Sequence, residues 1–432
     1  MCRWFDSAPG HHPIFCKERL DNDLIPALDK SGGSIQIRHF IASCLPKVAA
    51  LIQVWSWILV GIKSVQITAW YPREKMTTSI IDHHIDHPSA WKSSDFTGEG
   101  DYALDLEPRH IEALDAALVK VRKAGLDLDN INRENFPLDE IQDLIDHVSH
   151  ELVDGRGLLM IRGWPLERYS LEDIGTMYYG FCAHFGTAVS QSVIGDRLGY
   201  VMDHSDGDSS ERAYRNKQEL SLHTDFNELI GMLNVRQATR GGESQYASAI
   251  AIHNEIFATR PKLLAPLYEG FYYHRRGEET PGQEPVTPHK VPIFSNVDGI
   301  LSCRFVESYL PPAAKELGIE IPADLIEAIS YFQEIAARDD IQLEMLVEPG
   351  HMIFSNNFIT LHARSAFEDD SNDPDMKRLF LRLWLDAEAM VSRRHVPEVE
   401  VYDGDSITRQ EGRTPVYAGE WFDYEKEQKR EG

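Results

Sequence analysis

The sequence is poor in cysteine, in net positive charge and in long apolar runs. Its five cysteines, Cys2, Cys16, Cys44, Cys182 and Cys303, are widely spread, and no two of them form a C-x-x-C pair. That spacing argues against a zinc ribbon or a dithiol redox motif. It predicts reduced thiols in a cytoplasmic protein.

Basic residues are too few to favour a polyanionic partner. The chain has 43 Lys and Arg against 69 Asp and Glu, which gives a net charge of −26. An acidic surface repels phosphate groups, and no run of Lys or Arg interleaves with aromatic residues. We therefore expect no nucleic-acid partner, and solubility is the simplest role of the charge. With 42% hydrophobic and 26% charged residues, the composition predicts a packed globular core.

The main apolar stretch near the N-terminus runs from Val48 to Ile62 and is interrupted by Gln53 and Ser56. A helix that spans a membrane needs about 20 apolar residues, so we expect no stable membrane association. The stretch is not at the extreme N-terminus and no small-residue cleavage site follows it. A secretory signal is therefore not expected either.

Three segments of different character follow one another along the chain. We predict that residues 1–75 are a poorly ordered N-terminal extension outside the functional protein, which would begin near Met76. Residues 76–105 are expected to form a linker or arm. Residues 106–425 contain no internal repeat and no further linker, so they are expected to form one domain.

Apolar residues at helical spacing predict helices in an otherwise β-rich chain. The predicted helices are Pro108 to Lys123, Leu138 to Leu152, a helix that Ser170 caps and that ends at Gly186, and Ala323 to Arg338. A short buried strand is expected within residues 157–162. After residue 220, short apolar runs between Gly, Pro and Asn predict the strands of a sandwich or barrel, with 323–338 as the single helical interruption. The fold class is therefore α+β, mainly β.

The pattern His-x-Asp occurs three times, at His84–Asp86, His204–Asp206 and His223–Asp225. The first two lie in polar segments, whereas the third leads directly into a predicted strand, Phe226 to Val235. Because a pair of side chains at the mouth of a strand is held more rigidly than one in a loop, the third pair is the best candidate for metal ligands.

A third ligand would complete a facial triad, in which two imidazoles and one carboxylate bind Fe(II) and leave three positions open. His362 is the best candidate because it lies on a short predicted strand after an Asn-Asn turn. His351 competes for the role but directly follows the glycine of a turn. Taken singly, each of these histidines is more simply explained as a surface or core residue.

A strongly alternating strand follows at residues 378–385. Leucines lie on one face, and the other face carries Arg378, Phe380, Arg382 and Trp384. Two buried arginines are unfavourable unless an anion pairs with them, and a dicarboxylate matches the guanidinium fork. The alternative is an exposed face on which the arginines pair with Asp369 or Asp370.

The order of these motifs resembles the TauD/TfdA family of Fe(II)- and 2-oxoglutarate-dependent dioxygenases. The resemblance rests on His223-x-Asp225, the distant His362 and Arg378-x-x-x-Arg382, and covers most of residues 155–390. The segment Gly241–Gln245 is similar to the Gly-Gly-Asp-Thr segment of the family. The resemblance implies a double-stranded β-helix, or jelly-roll, core with flanking helices.

The resemblance also implies a role for each residue of the site. His223, Asp225 and His362 would hold Fe(II). Ser244 takes the place of the family's threonine and would bind the far carboxylate of 2-oxoglutarate together with Arg378. Arg382 would lie nearer the metal, where it contacts the 1-carboxylate or an acidic substrate. The spacing from His362 to Arg378 is longer than is usual in the family, so the arginine assignment requires a bulging loop.

The implied reaction is hydroxylation or desaturation of a small organic substrate with O₂, with release of succinate and CO₂. Asp225 favours this outcome over halogenation, because related halogenases lack the carboxylate. The alternatives are a cupin-like metal isomerase or hydrolase, a non-catalytic jelly-roll sensor or scaffold, and a structural β-sandwich. No residue identifies the substrate, since Arg382 suits an acid whereas Trp384, Tyr200 and Tyr246 suit an apolar molecule. A homo-oligomer is compatible with the sequence.

Overall fold

The computed structural model describes residues 79–193, 195–203, 217–370, 376–387, 395–402 and 406–410. All of them belong to one compact unit. The predicted extension 1–75 and the His204–Asp206 motif lie outside the described residues. Within the described part of the chain, no helix is both long and apolar enough to cross a membrane.

Seven α-helices occur in the described ranges. In chain order they are α1 (Pro108–Ala124), α2 (Gln142–Val153), α3 (Leu171–Cys182), α4 (Ala249–Thr259), α5 (Leu264–Glu269), α6 (Leu310–Leu317) and α7 (Ala323–Ala336). Helix α1 ends at Gly125, whose φ of 62° is left-handed, and Ser170 caps α3 by accepting a hydrogen bond from the Asp173 amide. These two predicted helix ends are confirmed.

Two predictions about helices are wrong. Helix α3 ends at Cys182 rather than at Gly186. The region after residue 220 holds α4, α5 and α6 besides α7, so it has more than one helical interruption. Helix α4 escapes detection because nearly all of its residues from Ala249 to Ile256 are buried. A helix that is apolar all round shows no amphipathic period.

Fifteen strands are described. They are β1 (Ala103–Asp105), β2 (Leu158–Arg162), β3 (Thr187–Ala188), β4 (Leu198–Val201), β5 (Leu220–His223), β6 (Leu229–Arg236), β7 (Arg240–Gly241), β8 (Ser244–Ser248), β9 (Phe294–Val297), β10 (Ile300–Cys303), β11 (Leu343–Met345), β12 (Met352–Asn356), β13 (Thr360–Arg364), β14 (Phe367–Glu368) and β15 (Leu379–Asp386). The expectation of a chain that mixes helices and strands is confirmed.

The strands form one large and one small sheet. The seven-stranded sheet has the order β1-β2-β12-β6-β15-β3, and β4 also pairs with β15. The four-stranded sheet has the order β11-β8-β13-β5, and two short pairs, β9 with β10 and β7 with β14, complete the described strands. Side chains of both main sheets meet in one apolar cluster, which includes Met160, Phe380 and Tyr246. The two sheets therefore face each other.

Alternation along the strands separates this inner cluster from an outer core under the helices. On β2, Leu158 and Met160 belong to the inner cluster, whereas Leu159 and Ile161 pack in the outer core. On β15, Leu381, Leu383 and Leu385 belong to the outer core, as the sequence predicted, and Trp384, predicted on the opposite face, packs in the same cluster. Both faces of the seven-stranded sheet are consequently buried around its centre.

Residues 79–105 pack against the two main sheets and the apolar core. Ile81, Trp91 and Tyr102 are buried, and β1 pairs in parallel with β2. The Trp91 indole donates a hydrogen bond of 3.0 Å to the carbonyl of Arg156. Cys182 and Cys303 are free and buried, and the other three cysteines lie outside the described residues.

Candidate metal centre and anion cavity

Strand pairing brings the two predicted histidine ligands together. Strand β13 pairs antiparallel with β5, and His362 lies directly opposite His223. The centroids of the two imidazole rings are 4.3 Å apart. Asp225 lies two residues after the end of β5, so its buried carboxylate lies next to the two rings at the end of the small sheet.

The three side chains form a compact group of ligand atoms. The Nε2 atom of His223 lies 3.8 Å from Oδ1 of Asp225, and Nε2 of His362 lies 3.7 Å from Oδ2. One ligand atom from each residue falls within 4.8 Å of the others, and no second group of this kind occurs among the described residues. Two imidazoles and one carboxylate fit the facial triad of a non-haem Fe(II) site.

Surrounding residues fix the orientation of these side chains. The His223 ring donates from Nδ1 to the carbonyl of Ser221 at 2.8 Å, which directs Nε2 toward the group. The Trp384 indole donates to Oδ2 of Asp225 at 2.8 Å. The Asp225 amide donates to Oδ1 of Asn357 at 3.3 Å, and Arg304 donates to the Asp225 carbonyl. The ligand group is therefore held before any ion binds.

Electrostatics favour the protonation states that a cation requires. Burial raises the pKa of Asp225, but the charge of Arg382, the two histidines and the Trp384 hydrogen bond outweigh it and lower the pKa. Burial and the neighbouring His223 lower the pKa of His362 to about 3. Asp225 is thus ionised and His362 neutral near neutral pH, which are the forms that bind a metal.

A cavity extends from the two histidines to the predicted arginines. Apolar, hydroxyl and cationic side chains line it, namely Val201, Leu220, His223, Ile230, Met232, Ser244, Tyr246, His362, Ala363, Arg364, Arg378 and Arg382. Five of the six predicted site residues lie on this wall, and the sixth, Asp225, contacts both histidines.

Arg378 is a buried cation whose hydrogen bonds are incomplete. Only 1% of its surface is exposed, and its Nε and Nη1 atoms have no hydrogen-bond partner among the described residues. Burial, followed by the charge of Arg364, lowers its pKa to about 9. Such a group is unfavourable unless an anion compensates it. The alternative of an exposed arginine face on β15 is therefore wrong.

The Gly-Gly-Glu-Ser segment shapes the wall around Arg378. Gly242 has a left-handed φ of 78°, and a Cβ there would lie 3.1 Å from Nε of Arg378 and 3.3 Å from Cβ of Phe367. The guanidinium carbon of Arg378 lies 4.1 Å from the ring centroid of Phe380 and 5.0 Å from that of Phe367. A glycine is required here because the backbone passes so close to the guanidinium.

Arg382 lies between the metal group and a buried glutamine. Its Nε donates to Oε1 of Gln191 at 2.6 Å, and its Nη1 lies 3.7 Å from Oδ2 of Asp225. The guanidinium also packs on the Trp384 ring, with the guanidinium carbon 5.1 Å from the ring centroid. Arg382 therefore lies beside Asp225, the predicted carboxylate ligand.

Several residues of the site escaped the sequence analysis. Arg364 lies two residues after His362 on the same strand face. The alternation of side chains along a strand could therefore have identified it. No sequence pattern pointed to Asn357 or Arg304. Both contact the backbone of Asp225 but lie far from it along the chain. Trp384 donates to Asp225, so its place in an apolar substrate pocket is not supported.

The other histidine candidates lie elsewhere. His351 precedes β12, and its Nε2 is 4.0 Å from Glu348. His84 and Asp86 are exposed. Tyr246 lines the cavity, whereas Tyr200 is half-exposed and does not.

Two histidines and a carboxylate beside a cavity with buried arginines are typical of non-haem iron oxygenases that use an anionic cosubstrate. The profile of the family described as "Taurine catabolism dioxygenase TauD, TfdA family" matches residues 121–384. The chain belongs to this family. The predicted cofactors Fe(II), 2-oxoglutarate and O₂, and the predicted class of 2-oxoglutarate-dependent dioxygenase, are thereby confirmed.

Individual relatives agree with this assignment. FR-33289 synthase of Streptomyces rubellomurinus is 32% identical over 72% of this chain and 92% of its own length. The taurine hydroxylase-like protein SAT17 of Stachybotrys chartarum is 26% identical over 72% of this chain and 85% of its own.

Solved structures share the fold at low sequence identity. Asparagine oxygenase superposes with a TM-score of 0.53 at 13% identity, covering 66% of this chain and 93% of its own. The non-haem iron oxygenase OrfP superposes with a TM-score of 0.50 at 14% identity, covering 71% and 100%.

Proposed function

We propose that this dioxygenase hydroxylates a small organic substrate, with Fe(II) held by His223, Asp225 and His362. The observation that carries the assignment is the group of three ligand atoms beside the cavity. Bound Fe(II) supplies the activation of O₂, which is coupled to the conversion of 2-oxoglutarate into succinate and CO₂ and to oxidation of a substrate C–H bond.

The protein's own residues prepare the site for this chemistry. His362 offers a neutral imidazole and His223 a second ring nitrogen, and Asp225 offers the one carboxylate among the ligands. Trp384 holds Oδ2 of that carboxylate, so the carboxylate keeps one orientation as the ion enters. Removal of a hydrogen-bond partner of a metal ligand typically lowers the affinity for the metal about 10-fold or more.

We propose that Ser244, Arg378 and Arg382 bind 2-oxoglutarate. The unpaired Nε and Nη1 atoms of Arg378 suit the far carboxylate, and Ser244 offers a hydroxyl in the same cavity. Arg382 lies beside Asp225 and is placed to contact the 1-carboxylate or an acidic substrate. The bulging loop that this assignment needs includes residues 371–375, which lie outside the described residues.

The finer description of the fold is part of the proposal. A double-stranded β-helix is supported by the two facing sheets, by the antiparallel pairing of β12 with both β2 and β6, and by the pairing of β13 with both β8 and β5. The metal group would then lie at the open end of the small sheet, between the two layers.

Two relatives of the same fold support hydroxylation as the outcome. Asparagine oxygenase was solved with 3-hydroxyasparagine and succinate, and OrfP, at a TM-score of 0.51, with a dihydroxyarginine and succinate. We propose a small polar molecule as the substrate of this chain as well. Its contacts would include the apolar wall of Val201, Ile230 and Met232 near His223.

Fe(II) stoichiometry together with succinate formation tests the assignment. We expect the protein to bind one Fe(II) per chain and to convert 2-oxoglutarate slowly to succinate without substrate. His362→Ala should lose Fe(II) binding and succinate formation. His351→Ala removes a histidine outside the ligand group and should keep both activities. Iron binding unchanged in His362→Ala would refute the ligand assignment, and iron binding by the unsubstituted chain without any succinate would refute the reaction.

A further inference from the structure

Two buried guanidinium groups lie close together in the wall of the cavity. Arg378 is 1% exposed and Arg364 is 6% exposed, and both line the cavity. The guanidinium carbons of Arg364 and Arg378 lie 4.8 Å and 5.0 Å from the centroid of the same ring, that of Phe367. One aromatic ring therefore supports both cations.

The strand register places a hydroxyl group beside this pair. Arg364 on β13 lies directly opposite Ser244 on β8. Gly242, two residues before Ser244, passes so close to Nε of Arg378 that a Cβ would lie 3.1 Å from it. Ser244, Arg364 and Arg378 thus come from three different segments to one part of the cavity wall.

The buried positive charges of Arg364 and Arg378 repel each other, because the protein interior screens them poorly. The carboxylate of Asp203 acts on Arg364 and that of Asp369 on Arg378 in the opposite sense. Arg364 donates from Nη2 to the carbonyl of Gln218, which fixes one edge of its guanidinium. Nε and Nη1 of Arg378 lack partners among the described residues. An anion between the two groups would offset the repulsion further and would complete the hydrogen bonds of Arg378.

We propose that Arg364 acts with Arg378 as a second guanidinium for the far carboxylate of 2-oxoglutarate, and that the pair selects a dicarboxylate over 2-oxo acids with one carboxylate. This inference rests on the proposed function. It gives Arg364 a binding role that the predicted set of Ser244 and Arg378 does not include.

A comparison of two cosubstrates isolates that role. The anaerobic protein with Fe(II) is titrated with 2-oxoglutarate and, separately, with 2-oxopentanoate, which has a methyl group in place of the far carboxylate. The visible charge-transfer band of the iron complex reports each dissociation constant. The variants are Arg364→Gln, Arg364→Lys and the control Arg240→Gln, which removes an exposed arginine paired with Glu368 on the neighbouring β7–β14 pair.

Arg364→Gln should weaken 2-oxoglutarate binding roughly 10- to 100-fold, as expected for a lost charge-assisted contact, and should leave 2-oxopentanoate binding nearly unchanged. Arg364→Lys keeps the charge but loses the fork, so its effect should be smaller and equally selective. Arg240→Gln should match the unsubstituted protein with both ligands.

Equal weakening of both ligands by Arg364→Gln or Arg364→Lys would overturn the proposal, because it would show that Arg364 only supports the structure through Gln218. Unchanged binding of 2-oxoglutarate would overturn it as well. If Arg364→Gln fails to fold, the selectivity of Arg364→Lys decides in the same way. Failure of the proposed function itself is distinct, because the unsubstituted protein would then show no band with 2-oxoglutarate.

Discussion

The Trp384 indole donates a hydrogen bond that orients Oδ2 of Asp225. Replacing Trp384 with Phe removes the 2.8 Å hydrogen bond to Oδ2 and keeps an aromatic ring beside Arg382. We expect Fe(II) affinity to fall about 10-fold, because the carboxylate loses the group that orients it. Competition between the protein and a chromogenic Fe(II) chelator measures the change.

Trp164→Phe is the matched control for this substitution. Trp164 is also buried, and its Nε1 has no hydrogen-bond partner in the described part of the chain, so the same change removes ring volume without removing a contact to Asp225. Its Fe(II) affinity should stay unchanged. An equal loss of affinity in both variants would show that ring volume, and not the hydrogen bond, matters.

Gly242 controls the position of Arg378. Gly242→Ala puts a methyl group 3.1 Å from Nε of Arg378 at a backbone φ of 78°, so the guanidinium must shift. We expect the dissociation constant of 2-oxoglutarate to rise about 10-fold, the equivalent of about 1.4 kcal/mol. Isothermal titration of the metal-loaded, anaerobic protein measures it.

Gly299→Ala separates backbone strain from contact with the arginine. Gly299 has a φ of 87° in the β9–β10 turn, and nothing lies within 4 Å of the added Cβ. Both variants should lose similar stability, roughly 1 kcal/mol, from the left-handed conformation. Only Gly242→Ala should bind 2-oxoglutarate more weakly, and a similar loss in Gly299→Ala would contradict this role of Gly242.

At the scale of elements, the sequence predicted those segments whose two faces differ. The alternation of β15 predicted leucines and arginines on opposite faces. Leu381, Leu383 and Leu385 pack in the outer core, whereas Arg378 and Arg382 line the cavity. Helix α4 lacks such a contrast, because its buried residues surround it. The register that sets His362 opposite His223, with an irregularity before Arg364, depends on contacts between distant strands. No local pattern determines that register.

Helix α4 buries a histidine that should make stability depend on pH. His253 is fully buried, its Nε2 is 3.0 Å from the Tyr268 hydroxyl, and Nδ1 lacks a partner among the described residues. Burial, followed by the charge of His83, lowers its pKa from 6.5 to about 4. Above pH 6.5 the ring is neutral in both states and has no effect. Below that value the unfolded chain binds a proton that the folded chain does not, until about pH 4.

His253→Phe should reduce this sensitivity. We expect His253 to destabilise the folded protein by about 2 kcal/mol at about pH 5 relative to about pH 7.5. The free energy of unfolding in urea, measured at both pH values, should therefore fall less in the variant than in the unsubstituted protein. An identical fall in both proteins would show that His253 is not responsible.

At the scale of the whole molecule, N-terminal deletions test where the functional unit begins. We propose that a chain beginning at Met76 keeps full Fe(II) and 2-oxoglutarate binding. A chain beginning at residue 106 would lose the buried side chains of Ile81, Trp91 and Tyr102 together with β1. We expect it to be less stable by at least about 5 kcal/mol.

Urea unfolding and Fe(II) binding of the two shortened chains measure these effects. Loss of Fe(II) binding in the chain that begins at Met76 would show that residues 1–75 belong to the functional protein. Full stability of the chain that begins at residue 106 would show that residues 76–105 act only as a linker.

Assembly of the metal group and the anion cavity into one site is the central claim, and one titration tests it most directly. The metal-free protein is titrated anaerobically with Fe(II) and then with 2-oxoglutarate, alongside His223→Ala and Arg378→Ala, while the visible metal-to-ligand charge-transfer band is recorded. We predict a band that is absent in His223→Ala and that requires roughly 10- to 100-fold more 2-oxoglutarate in Arg378→Ala. A protein that binds iron but shows no band with 2-oxoglutarate would contradict the account.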